Sequence, residues 1–307
     1  MATYTAGELS SLNYVAESSY GTIPTGALSW AGDIISFKPS VDYSTEYLYA
    51  TGSRAYNATA RGMVRAGFNV ECRARADASP YNWEDFWAVY GLGAAATTAT
   101  HLGSFTASLH KLVGANYYYN VYNGCKMNKF SIQGTEVGRE LVFGADVMSQ
   151  YLSYSTSQNL TQVQTVTVGA NAAEQAGATL RWNSICQINI AGGGLANFFP
   201  KTWKFTCDNH LDSQPGHRAN GATNYDVPIA IDEGIRELTF EFSIPHGSET
   251  YTNAKILDSA ITALTFKVGT KTVTLGTGSL VSNDLPELKH DLMEESVTIK
   301  FKTIAIA

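Results

Sequence analysis

The chain has 307 residues, 44% of them hydrophobic, enough to fill two ordinary cores or one large all-β core, so it is a folded chain and not a disordered one. Only 16% of residues are charged, against roughly 25% in a typical soluble domain, and Thr, Ser, Asn, Gly and 17 Tyr take their place, a mixture that favours strands and turns over exposed helices. The net charge of −6 argues against phosphate-neutralising contacts to nucleic acid or an anionic membrane; nearby DNA would be repelled.

The N-terminal stretch "MATYTAGELSSLNYVAESSYGTIPTG" has no positive n-region and no continuous apolar core. It is not read as a signal peptide, and the protein is expected to stay in the cytoplasm where it is made. "IISFKPS" is a strand, followed by a polar excursion over 42–66 that is rich in Asn, Tyr, Gly and Ala and lacks helical periodicity. "GFNVECRA" then alternates, with Phe68, Val70, Cys72 and Ala74 on one face and Asn69, Glu71 and Arg73 on the other. Asn82 suits an N-cap, and Trp83, Phe86, Trp87 and Tyr90 fall at helical spacing, with Gly91 expected to end the helix. The longest charge-free run, 86–110, is broken by Gly, Thr, Ser and His, which does not suit a membrane span.

Further on, "SFTASLHKL", "NYYYNVYN", "KMNKFSIQ", "RELVFGADVM", "QVQTVTVG" and "TLRWNSICQINIAGGG" are short alternating runs with Gly and Asn between them. "TWKFTCDN" is another strand, and a second polar excursion over 209–234 follows it. "RELTFEFSI" then repeats the earlier alternation, with Leu238, Phe240, Phe242 and Ile244 matching Phe68, Val70, Cys72 and Ala74, and Glu241 matching Glu71. The same offset lays Ile256, Leu257 and Ala260 over Phe86, Trp87 and Tyr90, which predicts a second short helix. Only Glu71 with Glu241 and Tyr81 with Tyr251 are identical over this stretch, so the repeat is one of pattern and not of letters. "LTFKVG", "KTVTLG" and "SVTIKFKTIAI" close the chain. Strands at this density indicate antiparallel sandwiches or barrels, not parallel βαβ units. The expected fold is all-β and duplicated: domains over 1–150 and 151–307, with a boundary set to within about 20 residues, each carrying one short helix and one long insertion loop or hairpin.

Sequence motifs for chemistry are missing. There is no phosphate-binding G-x-x-x-x-G-K-[ST], H-E-x-x-H, G-x-S-x-G or calcium loop. "GLGAAA" at 91–96 lacks the third Gly of a dinucleotide loop and follows a helix; "AGGGL" at 191–195 reads as a turn. Cys72, Cys125, Cys186 and Cys207 show no C-x-x-C spacing, and four reduced, mostly buried packing thiols are expected ahead of disulfides or a zinc knuckle. His210 and His217, near Asp208 and Asp212, are the one cluster that resembles a metal site, and a polar loop is the plainer reading. Glu84 with Asp85 and Glu294 with Glu295 are adjacent carboxylates of the solvated kind, so no catalytic, cofactor or metal residue is assigned. The sequons at 57–59 and 159–161 would matter only in a secreted chain. Tyr117, Tyr118, Tyr119 and Tyr122 offer stacking faces for bases, but few basic residues flank them, so a half-buried strand is the preferred reading.

"ESSYGTIPTG", then "ISFKPS", a strand–helix unit, "YNGCKMNKFSIQGTEVGRELVFGADVM", "KFTCDNHL" and "GIRELTFEFSI" in this order resemble the two-domain tail tube proteins of tailed phages and viruses over most of the chain. The resemblance implies hexameric rings stacked into a tube around a tape-measure protein, with tail terminator and baseplate or tip proteins as partners. It further implies assembly in the host cytoplasm, residence in the virion tail, and genomic DNA passing through the lumen without specific binding. No cofactor, metal, membrane or enzymatic activity is implied. A tube joins subunits by continuing sheets across boundaries, which few edge-blocking prolines, 8 in the chain, permit. For stacking, the excursions are candidates: Tyr43, Tyr47, Tyr49 and Tyr56 in the first, His210, Arg218 and Tyr225 in the second. Glu71 and Glu241, on the non-core faces of matching strands, are candidates for lumen-facing charge that repels DNA, against a plain reading as solvated strand residues. Another virion part, a capsid decoration or baseplate protein, would share this build without polymerising lengthwise. A glycan-binding β-sandwich would need a Trp-lined groove, whereas Trp30, Trp83, Trp87, Trp182 and Trp203 are scattered.

Overall fold

A computed structural model describes residues 11–24, 28–49, 56–74, 83–93, 101–113, 116–135, 140–155, 189–192, 200–214, 227–245, 260–269, 271–284 and 294–307. The fold is all-β. The first set of strands is β1 (Ser11–Ala16), β2 (Ser29–Trp30), β3 (Asp33–Tyr49), β4 (Tyr56–Arg73), β5 (Phe105–Val113), β6 (Asn116–Thr135), β7 (Leu141–Ser149) and β8 (Tyr151–Ser155). The second is β9 (Asn189–Gly192), β10 (Thr202–Asp208), β11 (Asp212–Gln214), β12 (Ala230–Asp232), β13 (Glu237–Pro245), β14 (Ile261–Val268), β15 (Lys271–Asp284) and β16 (Glu294–Ile306). The helical segment among the described residues is a π-helical turn, Glu84–Ala88, running into α1 (Val89–Leu92).

Period-2 alternation decides which face of each strand is covered. In β7, Leu141, Phe143, Ala145 and Val147 are buried while the residues between them are half-buried. Phe68, Val70, Cys72 and Ala74 are buried, as are Leu238, Phe240 and Phe242, and Ile244 packs against the same core half-buried. Both expected apolar faces therefore exist.

Across the main sheet the order is β3-β4-β7-β6 followed by β10-β13-β16-β15, all neighbours antiparallel. The second quartet repeats the first. The β6–β10 ladder joins them, with Phe130 opposite Cys207 and Ile132 opposite Phe205. A second layer also recurs, with β1 on β5 and β5 on β6 in the first set, and β9 on β14 and β14 on β15 in the second. The N-terminal part of β6 pairs with β5 and β8, and its C-terminal part with β7 and β10. It changes partners at Gly124, whose φ is +62° and whose Cβ position lies 2.7 Å from Gln150 Cβ; only glycine fits there.

Trp83, Phe86, Trp87 and Tyr90 are all buried, as their spacing predicts. Trp83 and Trp87 lie against Phe143, with centroids 5.6 and 5.5 Å away, and the Trp87 indole N–H donates to Ala31 O at 3.0 Å. In the second set, Trp203 stacks on Phe240 at 5.8 Å and Phe266 closes on both. Burying one such ring stabilises the fold by about 1.5–3 kcal/mol.

Some expectations change and others hold. The helix runs past Gly91 to Leu92, and Gly93, at φ +90°, takes its C-cap. Gly91 is glycine for another reason: its Cβ position lies 2.7 Å from Phe130 Cβ and Cγ, so the helix sits directly on β6. The 42–66 excursion is a hairpin: β3 and β4 stay paired from Tyr43–Val64 to Tyr49–Tyr56, beyond the last β4–β7 pair at Ala66–Ser149. The 209–234 excursion closes at its base as β11–β12. Glu295 is not solvated; alternation along β16 turns it inward, opposite Ile244, while Glu294 faces out to Lys201 and Ser243. Cys72, Cys125 and Cys207 are free and buried, and burial pushes the Cys207 thiol up to about 12, so it packs as a neutral thiol. Tyr119 and Tyr122 are buried in β6 and Tyr118 is exposed, a half-buried strand. Asn82, Tyr81, Tyr251, Ile256, Leu257, Cys186, Trp182 and His217 lie outside the described residues.

Candidate assembly surfaces

The face of the main sheet opposite the core is polar and laced with charge pairs. Register lines up Asn69, Asp146, Lys129, Asp208 and Glu237 across five adjacent strands. Lys129 Nζ reaches Asp208 at 2.9 Å across the β6–β10 join, and Lys300 reaches Glu237 at 3.0 Å. Arg73 with Glu140 and Lys201 with Glu294 form further pairs. Partial burial pushes the Asp208 carboxyl up, but the hydrogen bonds from Lys129 and from the His210 N–H outweigh it and leave it below its ordinary value. Glu71 and Glu241 both lie exposed on this face, as their matched positions predict. Glu71 accepts from Ser36 Oγ at 3.1 Å, and Glu241 stands between Lys204 and Thr298 in the register.

Two sheet edges stay open among the described residues. No described strand pairs with the outer edge of β3, or with Ser279–Asp284 of β15 on the side away from β16. Ile35, Val41 and Tyr47 on β3 are 44, 42 and 53% exposed and Val281 on β15 is 44% exposed, so apolar surface borders both edges. Tyr47 stands on the projecting hairpin. Tyr43, Tyr49 and Tyr56 belong to the same paired backbone, and their side chains are outside the described residues.

The join between the quartets has a polar seam. Asn209, 3% exposed, donates through Nδ2 to Gly91 O at 3.0 Å and Met127 O at 2.9 Å, tying the end of β10 to α1 and β6. Lys126, largely covered, donates to Glu233 at 2.7 Å and to Ile231 O at 3.0 Å. The other Glu233 oxygen accepts the Leu102 N–H at 2.9 Å. Arg236 donates to Leu92 O and Gln150 to Pro228 O, both at 2.9 Å. Asn209, Lys126, Glu233, Leu102 and Arg236 line a polar cleft of about 590 Å³. His210, next to Asn209, is exposed and at φ +46°, with Gly234 packed against it; Arg218 and Tyr225 lie outside the described residues.

The sequence reading missed this seam. Asn209 looks like an ordinary turn residue because its partners lie 118 and 82 positions away. The nearest available signal was the buried-looking Asn that follows the alternating "TWKFTCD". Glu17 was missed for the same reason: its carboxylate collects the Gly21 N–H at 2.9 Å, Thr106 Oγ1 at 2.7 Å and the Gly124 N–H at 2.8 Å, pinning the chain after β1 onto β5 and β6.

The described residues thus form an all-β fold with a repeated strand order, two sheet edges that no described strand covers and a two-stranded arm. A family model for the phage tail tube protein matches residues 7–301, and the chain belongs to that family. It is a structural protein of the virion tail, in a family of structural and not catalytic proteins. A comparison with curated protein sequences gives no match. Among solved structures, the chain is similar to one in the cryo-EM structure of the anti-feeding prophage (AFP) baseplate, 6-fold symmetrised. The identity is 9% and the TM-score 0.29, over 39% of this chain and 91% of that one.

Proposed function

We propose that this chain is the major tail tube subunit, built of tandem β-domains over 1–150 and 151–307, and that six copies close into a ring. Rings stack into a tube that encloses a tape-measure protein, ends on tail terminator and baseplate or tip proteins, and later conducts the genome. Assembly takes place in the host cytoplasm and involves no catalysis. The observation that carries this reading is the tail tube family match over 7–301, which leaves little of the chain for another role.

The parts divide by position. The polar, charge-paired sheet face is assigned to the lumen, with Glu71 and Glu241 among its carboxylates. A lining in which anions are partly compensated neither grips nor strongly repels a polyanion, so DNA slides past it. The β3–β4 arm, with Tyr43, Tyr47, Tyr49 and Tyr56, is assigned to the ring above. His210, Arg218 and Tyr225 of the second excursion are assigned to the same stacking contact. Electron microscopy of the purified protein tests the proposal. Annular particles of six times the 33.1 kDa chain mass and tubes at higher concentration are expected. Monodisperse single chains at every concentration would overturn it.

A further inference from the structure

The β6–β10 ladder is a template for contact between two copies of this chain. In the repeated order, β3 is the counterpart of β10 and the C-terminal part of β15 that of β6. The register makes this residue-specific. Val70 of β4 and Phe240 of β13, equivalent in the repeat, face Phe37 of β3 and Phe205 of β10 on one side. On the other side they face Ala145 of β7 and Ile299 of β16, which in turn stand opposite Phe130 of β6 and Leu280 of β15. Phe37 thus corresponds to Phe205, and Leu280 to Phe130.

Along β6, residues 129–135 carry β10. The equivalent edge of β15 carries no described strand, and neither does the outer edge of β3. We infer that these two edges meet between copies: β3 of one copy adds antiparallel to β15 of the next, in the register of the internal junction. The inference rests on the reading that copies associate laterally and adds which edges meet and how they are aligned. Internal pairs Asp208–Lys129, Cys207–Phe130 and Thr206–Ser131 become Ser40–Ser279, Pro39–Leu280 and Lys38–Ser282 between copies. Val281 is skipped, as it already is in the β15–β16 ladder.

Two further observations fit this occupant. The exposed Ile35, Val41 and Val281 lie along these two edges, where a second copy covers them. Phe37, half-buried and stacked on Phe68 at 4.9 Å, gains the cover on its open side that Phe205 already has from β6. Pro39 has no N–H to donate, so the added ladder lacks one hydrogen bond at the Pro39–Leu280 pair. The contact joins two different surfaces, so it propagates head to tail and closes as a ring instead of stopping at a two-fold dimer.

Cysteine pairing tests the register. Ser40→Cys with Ser279→Cys, assembled under reducing conditions and then oxidised, is expected to give a ladder of disulfide-linked oligomers on denaturing gels. Opposed Cα atoms in an antiparallel pair lie within disulfide reach. Ser36→Cys with Ser279→Cys, out of register, is expected to cross-link about tenfold less, and the wild-type chain oxidised in parallel gives the background of its own thiols. Rings that form but cross-link equally in both variants overturn the register and leave the ring reading standing. A wild-type chain that never associates overturns the ring reading itself, and the inference with it. Charge gives a second readout: Ser40→Lys with Ser279→Lys is expected to block association, and Ser40→Asp with Ser279→Lys, which rebuilds the Lys129–Asp208 pair between copies, to restore it. Equal association of the two charge variants would refute the alignment even if neither cysteine variant folds.

Discussion

Removing the Asn209 amide should loosen the join between the two quartets. Asn209→Ala leaves the carbonyls of Gly91 and Met127 without the donors that now lie 3.0 and 2.9 Å away, in a site where the asparagine is 3% exposed. An orphaned buried acceptor costs about 1–3 kcal/mol, and two at the low end of that range total about 2–4 kcal/mol. That is a large share of the roughly 5–15 kcal/mol that holds an ordinary domain. Urea unfolding followed by tryptophan fluorescence reads it: with a slope near 3 kcal/mol per molar, the midpoint falls by about 1 M at unchanged slope. Asn209→Asp adds a pH arm. Its carboxylate would face two carbonyl oxygens, so its folded pKa lies above the unfolded value of about 3.9. Below that value the protonated acid still donates one bond; as pH rises through the folded pKa this contribution is lost, so Asn209→Asp falls below Asn209→Ala at neutral pH. A midpoint shift of less than about 0.2 M for Asn209→Ala, or a pH-independent Asn209→Asp, would refute the assignment of the seam to this amide.

His110, buried against Tyr119 at 4.7 Å, has its pKa lowered by burial from 6.5 to about 4. The unfolded chain takes up this proton below 6.5 and the folded one does not until about 4, so stability should drop by up to about 3 kcal/mol across that window and stay level above it. His110→Gln should flatten the slope in melting curves at pH 4.5 and 7.5; an unchanged slope would assign it elsewhere. Removing 44–64, the arm outward from the Tyr43–Val64 pair, and joining Tyr43 to Arg65 should leave folded subunits that no longer stack, and micrographs with normal tubes would exclude the arm from ring contact. Glu71→Lys with Glu241→Lys should spare tube formation and slow genome passage; undiminished infectivity would count against placing these side chains in the channel.

How much was readable depended on range. Alternation at Phe68–Ala74 and Leu238–Ile244 is a local period, and the buried faces follow it. The match between these runs also revealed the repeat that the strand order bears out. The cluster of Trp83, Phe86, Trp87 and Tyr90 was legible as an apolar stripe, but Gly91 was misread as a stop because its true constraint, the Phe130 ring, lies in a strand far along the chain. The arm could be read only as a loop or hairpin, since Tyr, Thr, Asn and Ala suit either. Net charge speaks only for an acidic chain as a whole, whereas pairs such as Lys129–Asp208 and Lys300–Glu237 depend on a register no composition reveals. The division of β6 between two layers was equally hidden: only φ at Gly124 and the crowding by Gln150 expose it.

Because β6 and β10 belong to one polypeptide, that joint forms without any dependence on subunit concentration, and only the joints between chains obey mass action. Tethering replaces every second diffusive encounter with an intramolecular docking step. It also frees the two partners of the internal joint to diverge from the two outer edges, so that a strand fitted to its own chain has no equal rival in solution.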